Sequence, residues 1–324
     1  MAVTYKAGYI ESTNVRFYFG LKQKALQILF SLTWAVSQRF TRWILKRLFF
    51  SPVSYSLSND QKDLLEKAET FTFVSGGHEL KGYKWGQGPG ILFIHGWAGH
   101  GLQCCNFLTR LLDEGFSVWT FDHAGHGASQ GNTANYFRFS DAVYDFVNSR
   151  DDIELHTAIA HSLGASAWIN YLWRTRQKIS TILIAPALHL AEMLETTFSG
   201  YGIPKKAFRQ LIQRIELETG HEFEQENPID LIKDLTHEIL IIHDKKDKAV
   251  PFEDSWNASL VQNNIQLLPT SGMGHIRILF EGSLINQIVE KIRNFGNRAS
   301  SHSLMVADND TGDDNTCCKE LDCV

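Results

Sequence analysis

From residue 70 to residue 270 short apolar runs recur along the chain, separated by stretches whose apolar positions follow a helical period. Thr70 to Ser75 and Leu80 to Trp85 alternate around Gly76-Gly77, which predicts a β-hairpin. The later runs are Ile91 to Ile94, Ser117 to Phe121, His156 to Ala160, Thr181 to Ala185, Glu238 to Ile242 and Ile265 to Leu268. Their apolar positions are consecutive, as expected of strands buried on both faces. Helical periodicity covers Leu102 to Glu114, Ser140 to Ser149, Leu163 to Arg174 and Ile276 to Phe295. Strand and helix therefore alternate as βαβ units, and the expected fold class is α/β, with a mostly parallel twisted sheet and helices on both faces. From Leu188 to Leu235 the strand signal stops and the pattern is helical, which predicts a cap inserted over the sheet at about 188–235.

The first 58 residues follow a different pattern. Ala25 to Val36 is the longest apolar stretch, but Gln27, Ser31 and Thr33 interrupt it. It is too short to cross a bilayer and lacks the order of a signal peptide. On a helix, Leu29, Leu32, Val36, Phe40 and Trp43 share one stripe, with Gln38, Arg42 and Lys46 away from it. No acid occurs between Ser12 and Asn59, while Arg16, Lys22, Lys24, Arg39, Arg42, Lys46 and Arg47 are all basic. Three readings stay open: a helix packed on the main domain, an interfacial helix laid on an anionic membrane through residues 15–50, or a transit peptide. Ser51-Pro52 and the polar run Ser54 to Asp60 mark a boundary. The expected organisation is a basic amphipathic helical segment at 1–58, a main domain at 59–296 and an acidic, disordered tail at 297–324.

The whole-chain charge of −5 and the lack of any basic-aromatic recognition pattern in the central domain argue against nucleic acid as a partner. Cys104, Cys105, Cys317, Cys318 and Cys323 form neither a disulfide framework nor a zinc site. They read as free thiols of a reducing, cytoplasmic compartment, with peripheral attachment to a membrane as the alternative. Leu321, fourth from the end, excludes a prenylation box, and palmitoylation of Cys317 or Cys318 stays open. No metal-ligand spacing and no phosphate-cradling glycine loop is present, so neither metal nor cofactor is expected.

The candidate chemistry lies at the carboxyl ends of the expected strands. Ala158-Ile159-Ala160-His161-Ser162-Leu163-Gly164-Ala165 runs from a strand through a small-x-Ser-x-Gly turn into a helix, the pattern of a nucleophile elbow, with Ala160 where Gly is usual. A Ser before a helix is also a common N-cap, so the motif draws its weight from its surroundings. Strand Ile91 to Ile94 ends in His95-Gly96-Trp97-Ala98-Gly99, whose Trp97 N–H, with that of Leu163, would form an oxyanion hole. Phe121-Asp122-His123-Ala124-Gly125-His126-Gly127 is a tight turn in which Asp122 and His126 read as structural hydrogen-bonders. Downstream, His243-Asp244-Lys245-Lys246-Asp247-Lys248-Ala249-Val250-Pro251 and Gly272-Met273-Gly274-His275 complete the order Ser, acid, His. Ser requires a base, supplied by His275, and an acid to orient that base. Asp247 is preferred to Asp244 for this role. His95, His161 and His243 read as structural, with a substrate contact left open for His161.

On these motifs, from about residue 71 to 295, the sequence resembles the α/β-hydrolase superfamily, and its Asp122 turn is most similar to those of monoacylglycerol lipases and related esterases. The resemblance implies Ser162, Asp247 and His275 as catalytic triad and Trp97 and Leu163 as oxyanion donors. Dehalogenases and epoxide hydrolases of this fold carry Asp at the elbow, which Ser162 argues against. The expected activity is hydrolysis of a small-molecule carboxylic ester through an acyl-enzyme on Ser162. Phe198, Tyr201, Ile203 and Phe208 of the cap suggest an apolar acyl group, or else simple packing. Thioesterase, acyltransferase or peptidase activity is the alternative within the fold, and a non-catalytic binding module the alternative outside catalysis. The oligomeric state is not encoded in any of these motifs.

Overall fold

The computed structural model describes residues 21–53 and 57–307, with side chains for residues 28–53 and 57–295. Eight strands form one sheet: β1 (Glu69–Ser75), β2 (His78–Trp85), β3 (Gly90–Ile94), β4 (Ser117–Phe121), β5 (Leu155–His161), β6 (Ser180–Ile184), β7 (Ile239–Asp244) and β8 (Ile265–Thr270). Their order is β1-β2-β4-β3-β5-β6-β7-β8. The β1–β2 hairpin and the β2–β4 pair are antiparallel and the rest parallel. The order reverses at β3, since the chain leaves β3 for β4 on one side and returns to place β5 on the other. In open α/β sheets such a reversal opens a crevice beyond the strands' carboxyl ends, where ligands bind.

The consecutive apolar runs bury two faces because side chains alternate along a strand. In β3, Leu92 and Ile94 belong to a core under α5 (Tyr136–Asn148) and α6 (Leu163–Thr175). Ile91 and Phe93 belong to the opposite core under α4 (Cys105–Asp113) and α12 (Gly282–Ala307). Helix α4 is preceded by a 3-10 turn at Gly101–Cys104, so the expected helix at Leu102 starts later. Helix α5 starts earlier than the expected Ser140, because the Asn135 side chain accepts from the Arg138 N–H and caps it. The expected Ile276 to Phe295 helix divides into α11 (Gly274–Arg277) and α12. Helix α12 continues to Ala307, past the boundary expected at 297, since no Gly or Pro interrupts residues 297–307 and Arg298, Ala299, Leu304 and Met305 favour helix. The acidic stretch 308–324, with its three cysteines, lies outside the described residues. Cys104 and Cys105 are free and buried, and burial raises the Cys105 thiol to about 11.

Residues 188–235 contain α7 (Leu190–Gly200), α8 (Lys205–Thr219), α9 (Pro228–Leu231) and a 3-10 turn, and no strand. Preceding the sheet are α1 (Leu21–Val36), α2 (Gln38–Phe49) and α3 (Asn59–Glu66). The continuous N-terminal helix implied by the apolar stripe is broken at Ser37, which takes an extended backbone and accepts the Phe40 N–H as the N-cap of α2. Helix α2 lies on the segment carrying α7 and α8: the Phe49 ring packs tilted against Phe198 at 4.4 Å and meets Tyr201 edge-on, Arg42 donates to Gln210, and Lys46 pairs with Glu218. Phe198 and Ile203 are core residues, and Tyr201 and Phe208 pack against that core. All four side chains take part in packing, one of the two roles their sequence allows.

An ion cluster ties this segment to α5 and α6. His221 lies 3.0 Å from Asp141 and 2.7 Å from Glu226, while Arg174 pairs with Asp141 and Asn170 donates to Glu226. Hydrogen bonds to Asp141 and Glu226 outweigh burial and raise His221 to about 9. Folding binds this proton more tightly than the unfolded chain does. The stabilisation is thus complete below the ordinary histidine value and lost as pH rises through about 9. Thermal unfolding of the native chain should lose on the order of 2 kcal/mol between about pH 6 and about pH 10, and the His221→Gln chain should lack that dependence. Parallel pH profiles for the two chains would contradict the assignment.

Candidate active site

The β5 strand delivers Ser162 at its carboxyl end, and α6 begins with the next residue. Ser162 has φ 54° and ψ −121°, outside the comfortable regions for a residue with a side chain. Such a conformation costs about 1–3 kcal/mol and persists only where the surroundings impose it. Here the Ser162 N–H donates to the Ile184 carbonyl at 3.0 Å, and the Ser162 carbonyl accepts from the first turn of α6. The turn works because its neighbours are small. A Cβ on Gly164 would stand 2.4 Å from the His95 carbonyl oxygen, and one on Gly96 would stand 2.7 Å from the Ser162 Cβ. The same contact sets the loop after β3 directly beside the elbow.

That loop holds Trp97. His126 fixes it from below, its Nε2 accepting the Ala98 N–H at 3.1 Å while Nδ1 faces the Ala124 carbonyl. Burial lowers His126 to about 4, which keeps Nε2 free to accept. Among the described residues, no acceptor is recorded for the Trp97 or Leu163 backbone N–H. Beneath the loop, Asp122 accepts from the Tyr83 hydroxyl and from the Gly101 and Ala128 N–H groups. Asp122 and His126 are thus structural, as their motif suggested.

His275 comes from α11, just after β8, and Asp247 from the loop after β7. His275 Nε2 is 3.0 Å from Ser162 Oγ, and its Nδ1 is 2.7 Å from Asp247 Oδ2. In the neutral imidazole, Nδ1–H donates to the carboxylate and Nε2 accepts the serine proton. Asp247 Oδ1 accepts from the Ala249 and Val250 N–H groups. Burial opposes ionisation of Asp247, but the neighbouring His243 and His275 and the backbone N–H of Val250 prevail, holding the carboxyl well below the usual carboxylate range. The rival Asp244 bonds instead to Thr270 Oγ1 and to the N–H groups of Lys246, Gly272 and Met273. It braces the loop that carries His275.

Two contacts have no signature in the sequence. His161 Nε2 lies 3.0 Å from the His275 carbonyl, so it donates there, and burial, then the nearby His275, lower its own pKa to about 3. This bond occupies Nε2, while Nδ1 is buried without a partner among the described residues. His243 Nε2 stands 3.3 Å from Asp247 Oδ2, close enough for attraction but not aligned as a hydrogen bond, and its Nδ1 meets Ser255 Oγ at 2.7 Å. Sheet register brings His161 to the His275 loop, whereas His243 and Asp247 are four residues apart at the end of β7, and no motif marks either contact. Among the described residues, no group of three or more His, Cys, Asp or Glu could hold a metal ion.

Comparison with known proteins agrees with this architecture. A family model described as serine aminopeptidase, S33, matches residues 89–232, a stretch that includes Trp97, Ser162 and Leu163 and stops before Asp247 and His275. A non-heme chloroperoxidase of Kitasatospora aureofaciens is 28% identical over 131 residues, 39% of this chain and 46% of that protein. An uncharacterised protein of Mycobacterium tuberculosis is 26% identical over 134 residues, 41% of this chain and 39% of its own length. The chain thus spans less than half the length of the curated relatives it matches. Among solved structures, the mouse α/β hydrolase domain-containing protein 10 superposes with TM-score 0.56 at 18% identity, over 72% of this chain and all of that one. The Pyrococcus furiosus esterase Pf2001 gives TM-score 0.56 at 18% identity, over 77% and 97% of the two chains. The Butyrivibrio proteoclasticus esterase Est1E with bound ferulic acid gives 0.53 at 17%, over 70% and 98%.

Proposed function

We propose that this chain, which has the fold of the α/β hydrolases, is a serine hydrolase that cleaves carboxylic esters through an acyl-enzyme on Ser162. The observation that carries this reading is the continuous pair of contacts from Ser162 Oγ to His275 Nε2 and from His275 Nδ1 to Asp247. His275 removes the hydroxyl proton as Oγ attacks the carbonyl carbon, and the ionised Asp247 stabilises the imidazolium that results. The Trp97 and Leu163 N–H groups, which have no acceptor among the described residues, hold the oxyanion. His275 then protonates the leaving alkoxide, and water activated by the same imidazole releases the acid and restores Ser162. The indole of Trp97, partly exposed beside this centre, offers an apolar wall to the acyl group.

The esterases among the structural neighbours favour an ester, and the aminopeptidase description of the family model makes an amide the second reading. Two substrate sets tested side by side separate them. On short- and medium-chain nitrophenyl esters the chain should show a burst of nitrophenol equal to the enzyme present, followed by slower turnover. On aminoacyl nitroanilides it should show little activity. A higher kcat/KM for the anilides would replace the ester reading with the peptidase one.

A further inference from the structure

We infer that α1 and α2 form a docking face for an anionic phospholipid bilayer. One side of this helix pair is anchored in the protein: Phe30, Thr41 and Leu45 are buried, and Phe49 packs against Phe198. Among the described residues the other side has no such partner. Leu32 is 60% exposed, Val36 87%, Phe40 51% and Trp43 60%, and Leu29 lies beside them. Phe40 and Trp43 stack on each other at 5.9 Å, giving a flat aromatic surface directed outward. Scattered single apolar residues on a surface need no explanation, but five large ones exposed within fifteen residues of two contacting helices mark an interaction site.

Charge selects the occupant. Arg39 and Arg47 lie four residues to either side of Trp43, so both neighbour it on the helix, and both are exposed. Arg42 and Lys46 are turned instead toward Gln210 and Glu218. No acid occurs in the sequence from Ser12 to Asn59, so no carboxylate on these two helices opposes an anionic surface. Apolar and aromatic side chains flanked by arginines fit the boundary between phosphate headgroups and acyl chains, where aromatic rings settle and cations meet phosphate. Among the described residues no helix is long and apolar enough to cross a membrane, so the contact is a surface one. Helix α2 rests on the segment that carries α7 and α8 with one side and leaves Phe40 and Trp43 exposed on the other. The inference is independent of the proposed chemistry.

The test is co-sedimentation of the full chain with vesicles of phosphatidylcholine, with and without phosphatidylglycerol. Binding should require the anionic lipid and weaken with added salt. The R39Q/R47Q chain should bind about fivefold more weakly per guanidinium removed. Phe40→Ser with Trp43→Glu should abolish binding, while circular dichroism and hydrolysis of a soluble ester stay at native levels, since neither residue lies in the buried core or at Ser162. Equal pelleting of the native and doubly substituted chains would overturn the inference. So would equal binding to neutral and anionic vesicles. A concentration-dependent dimer that forms without lipid and is lost in the same variant would assign the face to a second copy of the chain instead.

Discussion

Ser162→Ala should reduce ester hydrolysis by about 10⁶-fold in kcat, to the level that binding and oxyanion stabilisation supply without a nucleophile. The substitution removes one oxygen from a residue that is 8% exposed and whose backbone is held by the Ile184 carbonyl and the first turn of α6. Alanine keeps the strained turn and every backbone contact, so the melting temperature should stay the same or rise slightly. His275→Ala should cost as much, and combining the two should add little, because the pair acts as one unit. Kinetics on nitrophenyl esters with native, single and double variants checks all three statements. Losses that simply multiply in the double variant would show that Ser162 and His275 act independently.

Asp247→Asn should lower kcat by about 10⁴-fold with little change in fold. The reason lies in how the carboxylate is divided. Oδ1 is claimed by the N–H groups of Ala249 and Val250, so the amide oxygen of Asn takes that position and its NH₂ faces His275. The imidazole must then accept at Nδ1 and carry its proton on Nε2, where it has no lone pair for the serine proton. Asp244→Asn serves as the comparison. Its bonds hold the loop before His275 without touching the imidazole, so it should cost stability more than rate. Equal kinetic losses from the two substitutions would remove the distinction drawn between them.

The parts of the site that follow from local pattern were legible in the sequence. A strand that runs into Ala160-His161-Ser162-Leu163-Gly164 and straight into a helix leaves few conformations for Ser162, and the elbow formed as its motif implies. Asp247 is set apart from Asp244 by its loop, which returns the Ala249 and Val250 N–H groups to the Asp247 carboxylate. What was not legible depends on long-range register. His161 reaches the His275 carbonyl only because the sheet sets the carboxyl end of β5 beside the loop that carries His275. The ion cluster on His221 joins residues eighty positions apart in sequence, and no periodicity encodes it. At the N-terminus the stripe was correct as a pattern but not as one helix, because Ser37 prefers to cap α2.

The central claim, a serine hydroxyl activated by His275, is tested most directly by a fluorophosphonate probe, with the modified peptide located by mass spectrometry. The account predicts stoichiometric labelling of Ser162 in the native chain and loss of labelling in His275→Ala. Labelling at another serine, or unchanged labelling of Ser162 without the imidazole, would contradict it.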